Sequence, residues 1–113
     1  MSLWNQIGNM LGGQTPERSP EEQQAITEAC QPLSLYYYMA CPFCMRVLHT
    51  IKHLDLPIEE RNIHHSEEHA RDLIEGGGMG QVPCLRIDHE DGSTQWMYES
   101  GDIVAYLKER FQN

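Results

Sequence analysis

The chain reads as an α/β protein, a four-stranded mixed sheet flanked by helices, with its elements in the order β-α-β-α-β-β-α. Three features carry that reading. The run Leu33-Ser34-Leu35-Tyr36-Tyr37-Tyr38-Met39 has the length and composition of a central strand, and it stops at a pair of cysteines. Directly after Pro42, apolar residues recur at intervals of three and four, the spacing of a helix with one buried face. Further on, two apolar stretches flank Asp91-Gly92, a hairpin turn signal. With 113 residues, the chain has room for one core.

From the N-terminus, Leu3, Trp4, Ile7, Met10 and Leu11 fall at helical spacing and predict a short amphipathic helix. Gly12-Gly13-Gln14-Thr15-Pro16-Glu17-Arg18-Ser19-Pro20 is rich in breakers and polar residues and reads as a linker. Ser19 or Thr15 is placed to cap a helix over Pro20–Cys30, because Pro and Glu suit a first turn. That helix reads as an appendage. Residues 1–32 thus form a partly helical extension and linker, and residues 33–113 the folded domain.

After the strand at Leu33, Phe43, Val47, Leu48, Ile51 and Leu54 mark the buried face of the first domain helix. Leu56 to Ile63 reads as a second strand and Ser66 to Glu75 as a capped second helix, with Gly76-Gly77-Gly78 as its stop. Cys84-Leu85-Arg86-Ile87 and Gln95-Trp96-Met97-Tyr98 form the hairpin. Ser100 opens a last helix with Ile103, Val104, Leu107 and Phe111 on its apolar side. The strand-helix-strand crossover is right-handed.

Eight basic against seventeen acidic residues give a net charge of -9, which opposes phosphate backbones and anionic membrane surfaces. Nucleic acid is therefore not an expected partner. No run of about 18 apolar residues is present, so no membrane span is expected. The N-terminus lacks the basic and apolar regions of a secretory signal, which makes the cytoplasm the expected compartment. There, closely spaced cysteines are catalytic or metal-binding rather than structural.

Cys41 and Cys44 stand two residues apart at the junction of the first strand and helix, with Pro42 between them in the first turn. Free backbone N–H groups at a helix start stabilise negative charge, so Cys41 is the expected thiolate. A thiolate, not a thiol, attacks a disulfide. Cys44, one turn in, is expected to be more buried and to attack the mixed disulfide formed on Cys41. Two such cysteines are also half of a zinc site, but the chain has no second pair and only Cys84 nearby in the domain. Proline within the pair and the strand before it favour redox chemistry, so no metal is expected.

At this point the stretch from about Leu33 to Phe111 resembles a glutaredoxin, with features of the N-terminal domain of glutathione transferases. Cys41-Pro42-Phe43-Cys44 is similar to the Cys-Pro-Tyr-Cys of glutaredoxins, and Gln81-Val82-Pro83 to their Thr-Val-Pro loop. Glu99-Ser100-Gly101-Asp102-Ile103 resembles the Glu-Ser-x-x-Ile motif of the transferases. The resemblance implies a thioredoxin-like fold in which Pro83 is cis and lies opposite the cysteines. It also implies that the Val82 backbone pairs with the cysteinyl part of glutathione. Glu99, Ser100 and Asp102 would hold the γ-glutamyl end, although Ser100 also suits an ordinary N-cap and Asp102 a first-turn acid.

The implied function is that of a dithiol glutaredoxin, a glutathione-dependent thiol–disulfide oxidoreductase. It would reduce protein disulfides or protein–glutathione mixed disulfides, with glutathione as co-substrate and no tightly bound cofactor. Two alternatives share the fold: a glutathione-liganded carrier of an iron–sulfur cluster, and a non-catalytic interaction module or reduced transferase relative. The chain also departs from the family pattern. Tyr38 stands where many glutaredoxins have a lysine, Gln81 replaces threonine, and Arg46 offers a nearby positive charge. Cys84 is assigned to packing, because alternation is expected to turn it from the face that Val82 shows. His64, His65 and His69 read as a solvated helix start, and Gly76 to Gly80 as a flexible approach to Pro83.

Overall fold

A computed structural model describes residues 17–112. The helix expected at residues 3–11 and the alternative cap Thr15 lie outside the described residues.

Among the described residues nine segments follow one another: α1 Pro20–Cys30, β1 Leu33–Tyr37, α2 Pro42–His53, β2 Glu59–Asn62, α3 Glu67–Asp72, a π-helical turn Leu73–Gly77, β3 Cys84–Asp88, β4 Thr94–Met97 and α4 Ser100–Phe111. The sheet order is β2-β1-β3-β4. β1 pairs parallel with β2 and antiparallel with β3, and β3 pairs antiparallel with β4. This is the thioredoxin-like α/β arrangement. Among the described residues no helix is long and apolar enough to cross a membrane.

The buried face of α2, Val47, Leu48 and Ile51, packs with Leu33 and Leu35 of β1, Leu85 and Ile87 of β3, and Ile103, Leu107 and Phe111 of α4. A second cluster, Tyr36, Leu73 and Cys84, lies apart from this core, with Val82, Trp96 and Tyr98 packed around it. Consecutive residues of β1 thus feed different clusters, as a period of two requires.

Two elements differ from the sequence reading. The strand expected over 56–63 is only Glu59–Asn62. Leu56 belongs instead to the close of α2, where Asp55 adopts a left-handed φ of 52°. The Leu56 N–H donates to the Ile51 carbonyl at 3.0 Å and the Asp55 N–H to that of Lys52 at 3.1 Å, so these two carbonyls at the end of α2 are satisfied. The helix expected over 66–75 keeps α geometry only to Asp72 and then widens into the π-helical turn.

The segment read as an appendage is seated on the core. Ser19 caps α1 through a reciprocal capping box with Glu22, and Cys30 at the far end is buried in the main cluster, with Ile26 and Ala29 against it. Arg18 reaches across to the C-terminus of α2, donating to the Asp55 carbonyl at 2.9 Å and to that of Leu54. A guanidinium there satisfies orphan carbonyls and complements the negative end of the helix dipole. Arg18→Ala is therefore expected to lower stability by about 1–2 kcal/mol. An unchanged urea midpoint in the variant would show that this clamp contributes nothing.

Candidate active site

In the β1–β3 pair, Tyr36 lies opposite Cys84. Extending that register, the chain leaving β1 through residues 38–41 and the chain entering β3 through residues 79–83 emerge at the same end of the sheet. The two segments that carry the cysteine pair and the proline are thereby brought together.

Cys41 occupies the N-cap of α2 with extended backbone, Pro42 follows in the first turn, and the Cys41 Sγ accepts the Cys44 N–H at 3.3 Å. Sulfur here does what a serine or aspartate oxygen does at other helix starts. Both cysteines are free thiols. Both are buried, Cys41 at 6% exposure less completely than Cys44 at 0%. Burial pushes the Cys44 thiol up to about 12, against the opposing effect of the Tyr38 backbone N–H, while neighbouring Cys41 pushes the same way as burial. Met39 and Phe43, on either side of Cys41 in sequence, are exposed, which corrects the reading of Phe43 as part of the buried face: in the first turn of α2 it stands at the open end of the helix.

The Val82–Pro83 peptide bond is cis, Pro83 is buried and Val82 half-buried. At the start of α4, Ser100 is the first helical residue and not the cap. Glu99 holds the N-cap position without any side-chain capping bond, which corrects the N-cap reading of Ser100. The first backbone bond of this helix is Ile103 N–H to the Glu99 carbonyl, so the N–H groups of Ser100, Gly101 and Asp102 precede the helical ladder. Glu99 and Asp102 are exposed and Ser100 half-buried. Arg46 on α2 brings its Nη1 within 4.0 Å of the point where a Cβ on Gly101 would sit, so its charge stands over the first turn of α4.

Cys84 is a packing residue, as expected, but for another reason. Positions 82 and 84 share a side, and both residues join the Tyr36–Leu73 cluster. Burial pushes the Cys84 thiol up to about 12, opposed by hydrogen bonds from the Tyr98 hydroxyl and the Met97 backbone. The histidines separate. His64 stacks on the Tyr38 ring at 4.4 Å between centroids, while His69 meets the edge of Tyr36 at 6.4 Å. Among the described residues no group of three His, Cys, Asp or Glu is placed to hold a metal ion.

The glycines before Pro83 have a steric role that the flexible-approach reading missed. A Cβ on Gly76 would enter the Trp96 ring, and one on Gly77 would strike the Tyr98 hydroxyl. Gly78 follows with a left-handed φ of 93°. Trp96 and Tyr98 were read from sequence only as strand residues. The one signal pointing to them was the triple glycine itself, which is needed where aromatic side chains press on a backbone.

Residues 35–113 match the family described as glutathione S-transferase, N-terminal domain. No curated protein matches the chain. Among solved structures, the chain is similar to Leishmania TDR1, described as a unique trimeric glutathione transferase, at 26% identity and a TM-score of 0.57, covering 71% of this chain and 18% of that one. A maleylacetoacetate isomerase from Anaeromyxobacter dehalogenans 2CP-1, with glutathione bound in its active site, is 28% identical with a TM-score of 0.53, covering 70% and 37%. An epsilon-class glutathione S-transferase from the housefly Musca domestica is 30% identical with a TM-score of 0.51, covering 70% and 35%. The chain thus spans little more than a third of these proteins at most. The matches fall on the transferase side of the resemblance. With its sheet order and its match over residues 35–113, the chain belongs to the family of glutathione S-transferase N-terminal domains.

Proposed function

We propose that the chain is a glutathione-dependent thiol–disulfide oxidoreductase acting through Cys41 and Cys44, with residues 33–113 as the catalytic domain. The observation that carries this reading is the Cys41 sulfur at the mouth of α2, receiving the Cys44 N–H at 3.3 Å.

In the reaction, the Cys41 thiolate attacks the glutathione sulfur of a protein–glutathione mixed disulfide. The protein thiolate leaves and takes a proton from solvent, and Cys41 holds the glutathione as a new mixed disulfide. A second glutathione thiolate attacks that glutathione's sulfur, releasing glutathione disulfide and restoring the Cys41 thiolate. With a protein disulfide as substrate, Cys44 resolves the Cys41 adduct after losing its proton, and two glutathiones then reduce the Cys41–Cys44 disulfide. Burial, which pushes the Cys44 thiol up, makes Cys44 a slow resolver at neutral pH. Val82 offers backbone hydrogen bonds to the cysteinyl residue beside the cis Pro83. The N–H groups at Ser100 to Asp102 and the Ser100 hydroxyl suit the γ-glutamyl carboxylate, and Glu99 or Asp102 its ammonium group. Arg46 adds the positive charge that an anionic tripeptide needs on so acidic a chain.

The test is reduction of a glutathionylated peptide with reduced glutathione as electron donor and glutathione disulfide as the product followed. Turnover well above the uncatalysed exchange is expected. A rate equal to that background would refute the proposal.

A further inference from the structure

Tyr98 stands between β4 and the first residues of α4, and its hydroxyl meets several elements at once. It donates to the Met79 carbonyl at 3.0 Å and accepts the Met79 N–H at 3.4 Å, with the Leu73 carbonyl at 3.5 Å. The Tyr98 side chain packs in the same cluster as the buried Cys84. Between Met79 and Pro83, the hydrogen bonds of the described structure are the two that join Met79 to this hydroxyl. Burial does little for the same stretch, since Met79, Gly80 and Gln81 are exposed. Packing resumes only at Val82 and Pro83. The glycine at position 77 keeps the hydroxyl in place, because any Cβ there would strike it.

We infer that Tyr98 is a positioning residue for the Val82 backbone, fixing through Met79 the loop on which glutathione is held. The inference rests on the glutathione reading above. A π-helical turn directly before this loop fits the same purpose, since it opens the helix end under the aromatic pair.

The test uses the full chain and two variants, Tyr98→Phe, which deletes only the hydroxyl, and Gly77→Ala, which displaces it. Each is expected to raise KM for glutathione about three- to ten-fold, with kcat changed by less than about two-fold. The alkylation rate of Cys41 by iodoacetamide without glutathione should not move. Amide exchange at Met79 should quicken by a similar factor in both variants. Unchanged exchange overturns the anchor, and faster exchange with an unchanged KM overturns its link to glutathione. A wild-type chain without glutathione-dependent turnover instead sinks the functional reading, while the exchange measurement still decides whether Tyr98 holds the loop.

Discussion

Cys41→Ser is expected to lower glutathione-dependent reduction of a mixed disulfide by at least roughly a thousand-fold, because an alcohol at that position is not ionised and cannot attack sulfur. Cys44→Ser should behave differently. With Cys44 fully buried and its thiol pushed up to about 12, the second cysteine contributes little to a route in which free glutathione removes the adduct from Cys41. Activity toward glutathionylated peptide should stay within about ten-fold of wild type, while reduction of an intramolecular protein disulfide should be lost. The diagnostic comparison is the pair of variants against both substrates. Equal activity of wild type and Cys41→Ser would refute the assignment of the nucleophile. Equal loss in both variants toward the glutathionylated peptide would instead show that Cys44 is needed in every cycle.

The buried thiols also predict an alkaline decline in stability. Burial raises Cys30 from its ordinary value of 9.0 to about 11, and Cys44 and Cys84 to about 12. Below pH 9 all three are protonated in the folded and unfolded chain alike, and they impose no pH dependence. As pH rises past 9 the unfolded chain ionises its thiols while the folded chain keeps them protonated, so the unfolded state is favoured and stability falls. The decline continues until the folded-state values are reached. At pH 10 the loss is roughly 1 kcal/mol per thiol, or a few kcal/mol in all. Urea midpoints of the reduced protein at pH 7.5 and pH 10 measure it. Cys84→Val should remove about a third of the drop, or somewhat more because burial and then the Cys84 thiol push the Tyr98 hydroxyl up. A variant with the same pH dependence as wild type would show that the Cys84 thiol is not held protonated by the fold.

These expectations rest on a helix start and a loop that the sequence revealed unequally. Elements with strong periodicity were legible. On the predicted α2 face Val47, Leu48, Ile51 and Leu54 are buried but Phe43 is 62% exposed, the face Ile103, Val104, Leu107, Phe111 of α4 is buried as its spacing predicted, and the cysteine pair falls at a strand-to-helix junction as read. The hairpin turn at Asp91-Gly92 falls between β3 and β4. Boundaries at irregular ends were not legible. Leu56 and Ile58 look like strand residues, yet Leu56 closes α2 and both enter the core before β2 begins. The local pattern cannot distinguish an apolar residue in a strand from one that seals a helix end.

Residues 20–30 looked detachable because their apolar pattern is thin, and it is Cys30 and the long reach of Arg18, 36 and 37 positions along the chain to the end of α2, that tie them down. Position along the chain was enough to say which sulfur would stand at the helix mouth, since covalent order alone puts Cys41 ahead of Pro42 and Cys44 a turn behind. The partners of the aromatic side chains were a different matter. That Trp96 and Tyr98 lie against Gly76 and Gly77, and that Tyr98 binds Met79, follows from the pairing of strands and the widening of a helix end. Such contacts join residues some twenty positions apart, and local preferences carry no record of them until the sheet has assembled.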